Sequence, residues 1–223
     1  MDEEELSNIL HCPGRIRSLK ACVDYLLPTW SNLFAKAASL NNLESLILQA
    51  VEKDIDPFYV EMNLVDSLNE CQSLTHIEIR DFYFSTASFP TPPHLTSLIL
   101  HTVGDLYNEF LWDPFLDALE ISQNLTVLDL KHTIPYFSHS APRDGRFVRL
   151  PHLQHLKIQD HIDKATNLFS SLRTPFSANI SITTPSQWWE EETRDLFDTF
   201  RTLGEDSVGQ KLIERHGGRI WVE

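Results

Sequence analysis

The chain is short of basic residues, glycine and cysteine, and each shortage removes a class of function. Eighteen Lys and Arg stand against 32 Asp and Glu in 223 residues, a net charge of −14. A field of that sign repels phosphate backbones and anionic bilayers, so neither nucleic acid nor a membrane surface is an expected partner. Seven glycines leave few tight phosphate cradles, and no Gly-rich phosphate loop, Walker-type lysine or G-x-S-x-G elbow occurs. The three cysteines, Cys12, Cys22 and Cys71, are too few and odd in number for a disulfide framework. They fit a reducing compartment, so a cytoplasmic or nuclear location is expected. No window reaches the roughly 20 apolar residues of a bilayer span. The acidic opening MDEEELSNIL lacks the basic-then-apolar order of an export signal.

What the chain does have is a recurring spacing. Apolar, two residues, apolar, one residue, apolar appears as Leu43/Leu46/Leu48, Leu74/Ile77/Ile79, Leu95/Leu98/Leu100, Leu125/Leu128/Leu130 and Leu153/Leu156/Ile158. The starts lie 31, 21, 30 and 28 residues apart, bracketing the unit of leucine-rich repeats, in which each repeat adds one strand to a stacked sheet. A degenerate first strand holds Ile16, Leu19 and Ala21. A closing one alternates through Phe176, Ala178, Ile180 and Ile182. The expected fold is therefore α/β: a leucine-rich-repeat solenoid with a parallel sheet of about seven strands, and helices and extended crossings on its convex side. Residues 1–184 form the solenoid, and 185–223 form a C-terminal helical cap of the same domain.

Three connecting helices follow from local signals. Asp56-Pro57-Phe58 and Asp113-Pro114-Phe115 each place a capping carboxylate before a proline suited to the first turn. The first such helix would align Phe58, Met62, Val65 and Leu68, and the second Phe115, Leu116 and Leu119. A third, Asp163 to Leu172, sets Ala165, Leu168, Phe169 and Leu172 at i, i+3, i+4 and i+7. Between Ile79 and Leu95 the prolines at 90, 92 and 93 demand an extended crossing, and Pro135 to Phe147 reads as an inserted loop. In the cap, one helix carries Trp189, Leu196, Phe200 and Leu203, and a second short helix runs from Asp206 to His216 before Gly217-Gly218.

Ten histidines invite a metal hypothesis, but no CxxC, HxxxH or HExxH spacing is present, so no metal, cofactor or catalytic residue is assigned. His152 and His155 are three apart, which on a strand points them to opposite faces. Asp160, His161 and Asp163 read as a cap on the following helix. Cys71 reads as a small buried packing residue. Trp188-Trp189 could present one ring to a partner.

Alternation of side chains turns the leucine positions into a map of the opposite, concave face. Its central column runs Lys20, Ile47, Glu78, Ile99, Asp129, Lys157, Ser181, and the next column includes Arg80, His101 and Lys131. Two isoleucines in such a solvated row are better suited to a partner than to water. The expected partner-binding residues are thus Lys20, Ile47, Glu78, Arg80, Ile99, His101, Asp129, Lys131 and Lys157. An alternative reading is an enzyme site built on the loop around residues 132–147 from His132, His139, Arg143 and Asp144. A further alternative is a stand-alone repeat scaffold.

LFSSLRTPFSANISI (Leu168 to Ile182), LPHLQHLKIQD (Leu150 to Asp160) and the set Leu68, Cys71, Leu74, Ile77 together resemble the leucine-rich-repeat region of fungal, mushroom-type F-box-like proteins, over roughly residues 10–185. The resemblance implies a non-enzymatic protein-binding module, of the substrate-recognition type that delivers targets to a ubiquitin ligase. An F-box would occupy about 40 residues ahead of the repeats, and the first candidate strand here begins by Ile16. A Skp-type adaptor is accordingly expected as a partner only if an F-box lies upstream of this chain.

Overall fold

The computed structural model describes residues 15–23, 41–50, 59–60, 68–84, 89–102, 111–135, 146–184, 213–216 and 219–222. Each recurring apolar triplet places its last two members on a strand, where alternation sends both to one side. The strands so formed are β1 (Ser18–Val23), β2 (Ser45–Ala50), β4 (His76–Arg80), β6 (Ser97–His101), β7 (Val127–Lys131), β9 (His155–Gln159) and β11 (Asn179–Thr183). They lie parallel in chain order, β1-β2-β4-β6-β7-β9-β11. In register, Leu19, Leu46, Ile77, Leu98, Leu128, Leu156 and Ile180 make one row, and Ala21, Leu48, Ile79, Leu100, Leu130, Ile158 and Ile182 the next. Every member of both rows is buried. The chain is an α/β protein with a seven-stranded parallel sheet stacked in a solenoid-like way.

The first residue of each triplet ends a turn at the leading edge of its strand. The amides of Leu74, Leu95, Leu125, Leu153 and Ala178 donate to the carbonyls of Cys71, Pro92, Ser122, Leu150 and Pro175, always three residues back. One residue on, neighbouring units are laced together: the Thr75, Thr96 and Thr126 hydroxyls donate to the carbonyls of Glu44, Thr75 and Thr96 at 3.1, 3.0 and 2.9 Å. Those carbonyls also accept two backbone N–H groups each, so the turn edge is hydrogen-bonded from unit to unit as the sheet is. Cys71 is 1% exposed in this edge, and burial, helped by Glu70, pushes its thiol up to about 11. It is a packing residue and a poor nucleophile at neutral pH.

Behind the core rows run the connections. Helix α1 (Trp112–Ile121) buries Trp112, Phe115, Leu116, Ala118 and Leu119, with Phe89 edge-on to Phe115 at 5.0 Å. Helix α2 (Ile162–Ser171) buries Ala165, Leu168 and Phe169 as their spacing requires. Two short parallel ladders accompany them, β3 (Tyr59–Val60) with β5 (Tyr83–Phe84) and β8 (Val148–Arg149) with β10 (Leu172–Arg173).

Four expectations need correction. Tyr59–Val60 is extended and paired to β5, so the helix does not start at Asp56-Pro57-Phe58; helical geometry is described only at residues 68–69 of that unit. Asp113 is not the cap of α1: the helix begins two residues earlier than expected, at Trp112, with Leu111 at the cap position and no side-chain bond. Asp113 sits instead in the first turn, where a carboxylate still meets the positive end of the helix dipole. Of the Asp160, His161 and Asp163 cluster, His161 is the cap residue of α2 and Asp163 lies in its first turn, but no side-chain hydrogen bond caps the helix. Finally, the segment expected to be helical up to His216 ends in strand β12 (Ile213–His216). It pairs antiparallel with β13 (Arg219–Val222), which pairs antiparallel with β11. The sheet is thereby extended to nine strands, and these two cover the β11 edge that would otherwise offer unpaired backbone groups. The cap helix with Trp189, Leu196, Phe200 and Leu203, and Trp188, lie outside the described residues.

Candidate functional site

The side of the sheet away from the core is built from the residues that alternate with the buried rows. In register its central column is Lys20, Ile47, Glu78, Ile99, Asp129, Lys157 and Ser181, and the adjoining one holds Cys22, Gln49, Arg80, His101, Lys131, Gln159 and Thr183. All nine expected partner-binding residues are therefore on strands of one face. Lys20 and Lys157 are exposed, while Ile47, Glu78, Arg80, Ile99, Asp129 and Lys131 are half-buried by one another. His101 departs from the solvated position expected of it: it is 8% exposed.

The reason is a chain of polar contacts across four strands. Arg80 Nε donates to Glu78 Oε1 at 2.6 Å, and His76 Nε2 lies 3.8 Å from Glu78 Oε2. Arg80 also reaches His101 Nδ1 at 3.3 Å, and His101 Nε2 is 3.0 Å from Asp129 Oδ1. Lys157 Nζ closes the row, donating to Asp129 Oδ2 at 3.1 Å. A guanidinium can only donate, so in the neutral imidazole of His101 Nδ1 is the acceptor and the proton resides on Nε2, directed at Asp129. The imidazole is thus a fixed relay between β4 and β7. His76 belongs to this network and was not among the residues singled out from the sequence. Its signal was its position two residues before Glu78 on the same face.

Asp129 is only 14% exposed at its side chain. Burial alone would raise its pKa, but the hydrogen bonds and charges of His101 and Lys157 outweigh that and hold it below the ordinary 3.8. A carboxylate depressed in the folded state contributes stability that is present above 3.8 and lost as pH falls through its folded value. Asp160 has the opposite sign: burial raises it above 3.8 against the pull of Lys164 and two backbone N–H groups, so its contribution fades as pH rises. The stability gap between the parent and Asp129→Asn is expected to narrow as pH falls below about 3.8. Urea melts at a series of acid pH values measure it, and a gap that stays constant would contradict the assigned network.

On the other side of the sheet, Arg146 is held by an acidic stripe on α1. It pairs with Asp117, with Glu120 at 3.0 Å and with Asp113 at 3.7 Å. The spacing 113, 117, 120 was a legible helix stripe, but its cation comes from the far end of the 135–147 segment. Arg173 stacks on Phe147 with its guanidinium carbon 3.5 Å from the ring centroid. Of the alternative enzyme site, His132 is described, with a positive φ of 53° and its amide bonded to the Gln159 carbonyl. His139, Arg143 and Asp144 lie outside the described residues.

An open cleft of about 600 Å³ lies along the turn edge, lined by His94, Thr96, Thr126, His152 and Gln154 among others. It includes none of the nine face residues. Among the described residues no group of three or more His, Cys, Asp or Glu is placed to hold a metal ion, and no helix is long and apolar enough to cross a membrane.

The architecture defines the class of protein only to this level: a parallel-stacked α/β chain with one sheet side packed and the other carrying an ordered polar network. No protein-family model matches the chain, and neither a curated protein nor a solved structure matches it.

Proposed function

We propose that this chain is a non-enzymatic protein-interaction module of the leucine-rich-repeat kind, resembling the substrate-recognition repeats of an F-box-like ubiquitin-ligase receptor. The observation that carries the reading is the face itself. Contacts within β4 and across to its neighbours hold Glu78, Arg80, His101, Asp129 and Lys157 in one arrangement before any partner arrives. Such preorganisation lowers the ordering cost of association. Ile47 and Ile99 sit in the same central column, the second between Glu78 and Asp129 in register. Apolar residues surrounded by fixed polar groups are the usual make-up of a docking surface.

The test is affinity capture from a cell extract with the parent chain and with Ile47→Asp/Ile99→Asp, both checked for folding by circular dichroism. A partner held by the parent and lost from the folded variant is the expected result. An identical set of captured proteins would remove the sheet face as the site. A Skp-type adaptor is expected in the capture only if an F-box lies upstream of this chain.

A further inference from the structure

On the open face both carboxylates are already engaged by basic side chains, while several cations keep N–H groups in reserve. Glu78 uses Oε1 on Arg80 and has Oε2 beside His76, while Asp129 uses Oδ1 on His101 and Oδ2 on Lys157. Both carboxylates are therefore engaged from two sides. The cations are not so occupied. Lys157 is half exposed and has committed one of its three N–H groups to Asp129. Arg80 is 37% exposed with further guanidinium N–H groups beyond the two it uses here. Lys20 and Lys131 carry no ion pair among the described residues.

The charge count agrees. The outward positions of the seven parallel strands hold four Lys or Arg and two Asp or Glu, a net positive face on a chain whose total is −14. A face that gathers surplus cationic donors on a chain of net charge −14 is complementary to carboxylates. Ile47 and Ile99, between those cations, offer apolar contact that a bare polyanion would leave unused.

We propose that the sheet face docks an acidic polypeptide segment carrying interspersed apolar side chains. Its carboxylates would meet Lys20, Arg80, Lys131 and Lys157, and its apolar groups would cover Ile47 and Ile99. This rests on the interaction-module reading and adds the chemistry of the partner to it. A nucleic acid shares the negative charge, but a chain of net charge −14 repels an extended phosphate backbone as a whole.

The experiment is selection from a random peptide display library on the immobilised parent chain, followed by titration of the enriched peptides. Enriched peptides should be rich in Asp and Glu with apolar residues between. Their affinity should fall about tenfold or more with Lys20→Glu/Lys131→Glu, and binding should vanish with Ile99→Asp, both variants retaining the parent's circular dichroism. Neutral or basic peptides lost on Ile99→Asp would overturn the acidic preference and leave the docking face standing. Peptides indifferent to Ile99→Asp and Ile47→Asp would overturn both. No enrichment, acidic peptides unaffected by the two lysine reversals, or displacement by a single-stranded oligonucleotide as readily as by free peptide would each count against the proposal.

Discussion

Asp160→Ala is expected to destabilise the chain by about 3–5 kcal/mol, the cost of stripping one member from a buried ion pair. Asp160 is 0% exposed, and Lys164, 3.6 Å away on the first turns of α2, has a side chain only 3% exposed. The same carboxylate accepts the Ile134 amide at 3.1 Å and the His161 amide at 2.8 Å. It thus joins the segment after β7, the end of β9 and the start of α2. Alanine would remove the Asp160 carboxylate from beside a buried ammonium and take the acceptor from two backbone N–H groups. Because burial already raises the Asp160 pKa, the ionised pair is itself expensive to desolvate. Replacing both partners, as in Asp160→Leu/Lys164→Met, should therefore recover much of the loss. Urea unfolding of the single and double variants checks this, and a double variant as weak as the single would locate the effect elsewhere.

How much of this was visible beforehand depended on how local the signal was. Five of the seven parallel strands follow from a spacing written five times in leucine and isoleucine, the first from a degenerate copy of it and the last from alternation, and the order of the central column followed from alternation alone. Helix α2 was equally plain, since Ala165, Leu168 and Phe169 repeat at helical intervals with few competing signals. The Asp-Pro-Phe triplets misled because capping propensity is a property of a few residues, whereas Tyr59–Val60 is extended by pairing with a segment 24 residues further on. The β12–β13 hairpin was missed for a related reason. Ile213 and Arg215 against Ile220 and Val222 carry too short an alternation to be told from one helical turn.

The polar network was half legible. Register put Asp129 opposite Lys157, but the contact that buries His101 runs diagonally from one column to the other. Spacing within a single repeat does not report such diagonals. They depend on which rotamers fit once neighbouring strands are side by side.

The second large effect concerns the packed rows. Leu128 is 0% exposed, flanked in register by Leu98 and Leu156, both themselves buried. Leu128→Ala should cost about 2–5 kcal/mol, combining lost transfer energy with a cavity that a stack pinned on both sides cannot close. Glu78→Ala, by contrast, should cost no more than about 1 kcal/mol, because the Arg80 it frees is exposed enough to be solvated. The contrast matters because it separates the two sides of one sheet, and everything assigned to docking depends on that separation.

The most direct measurement is an alanine series along β7 alone, read by urea unfolding. Leu128 and Leu130 should each cost about 2–5 kcal/mol, while Val127 and Lys131 should each cost about 1 kcal/mol or less. Equal costs at all four positions, or larger costs at Val127 and Lys131, would mean that the leucines do not form the packed side, and the docking face would have no basis.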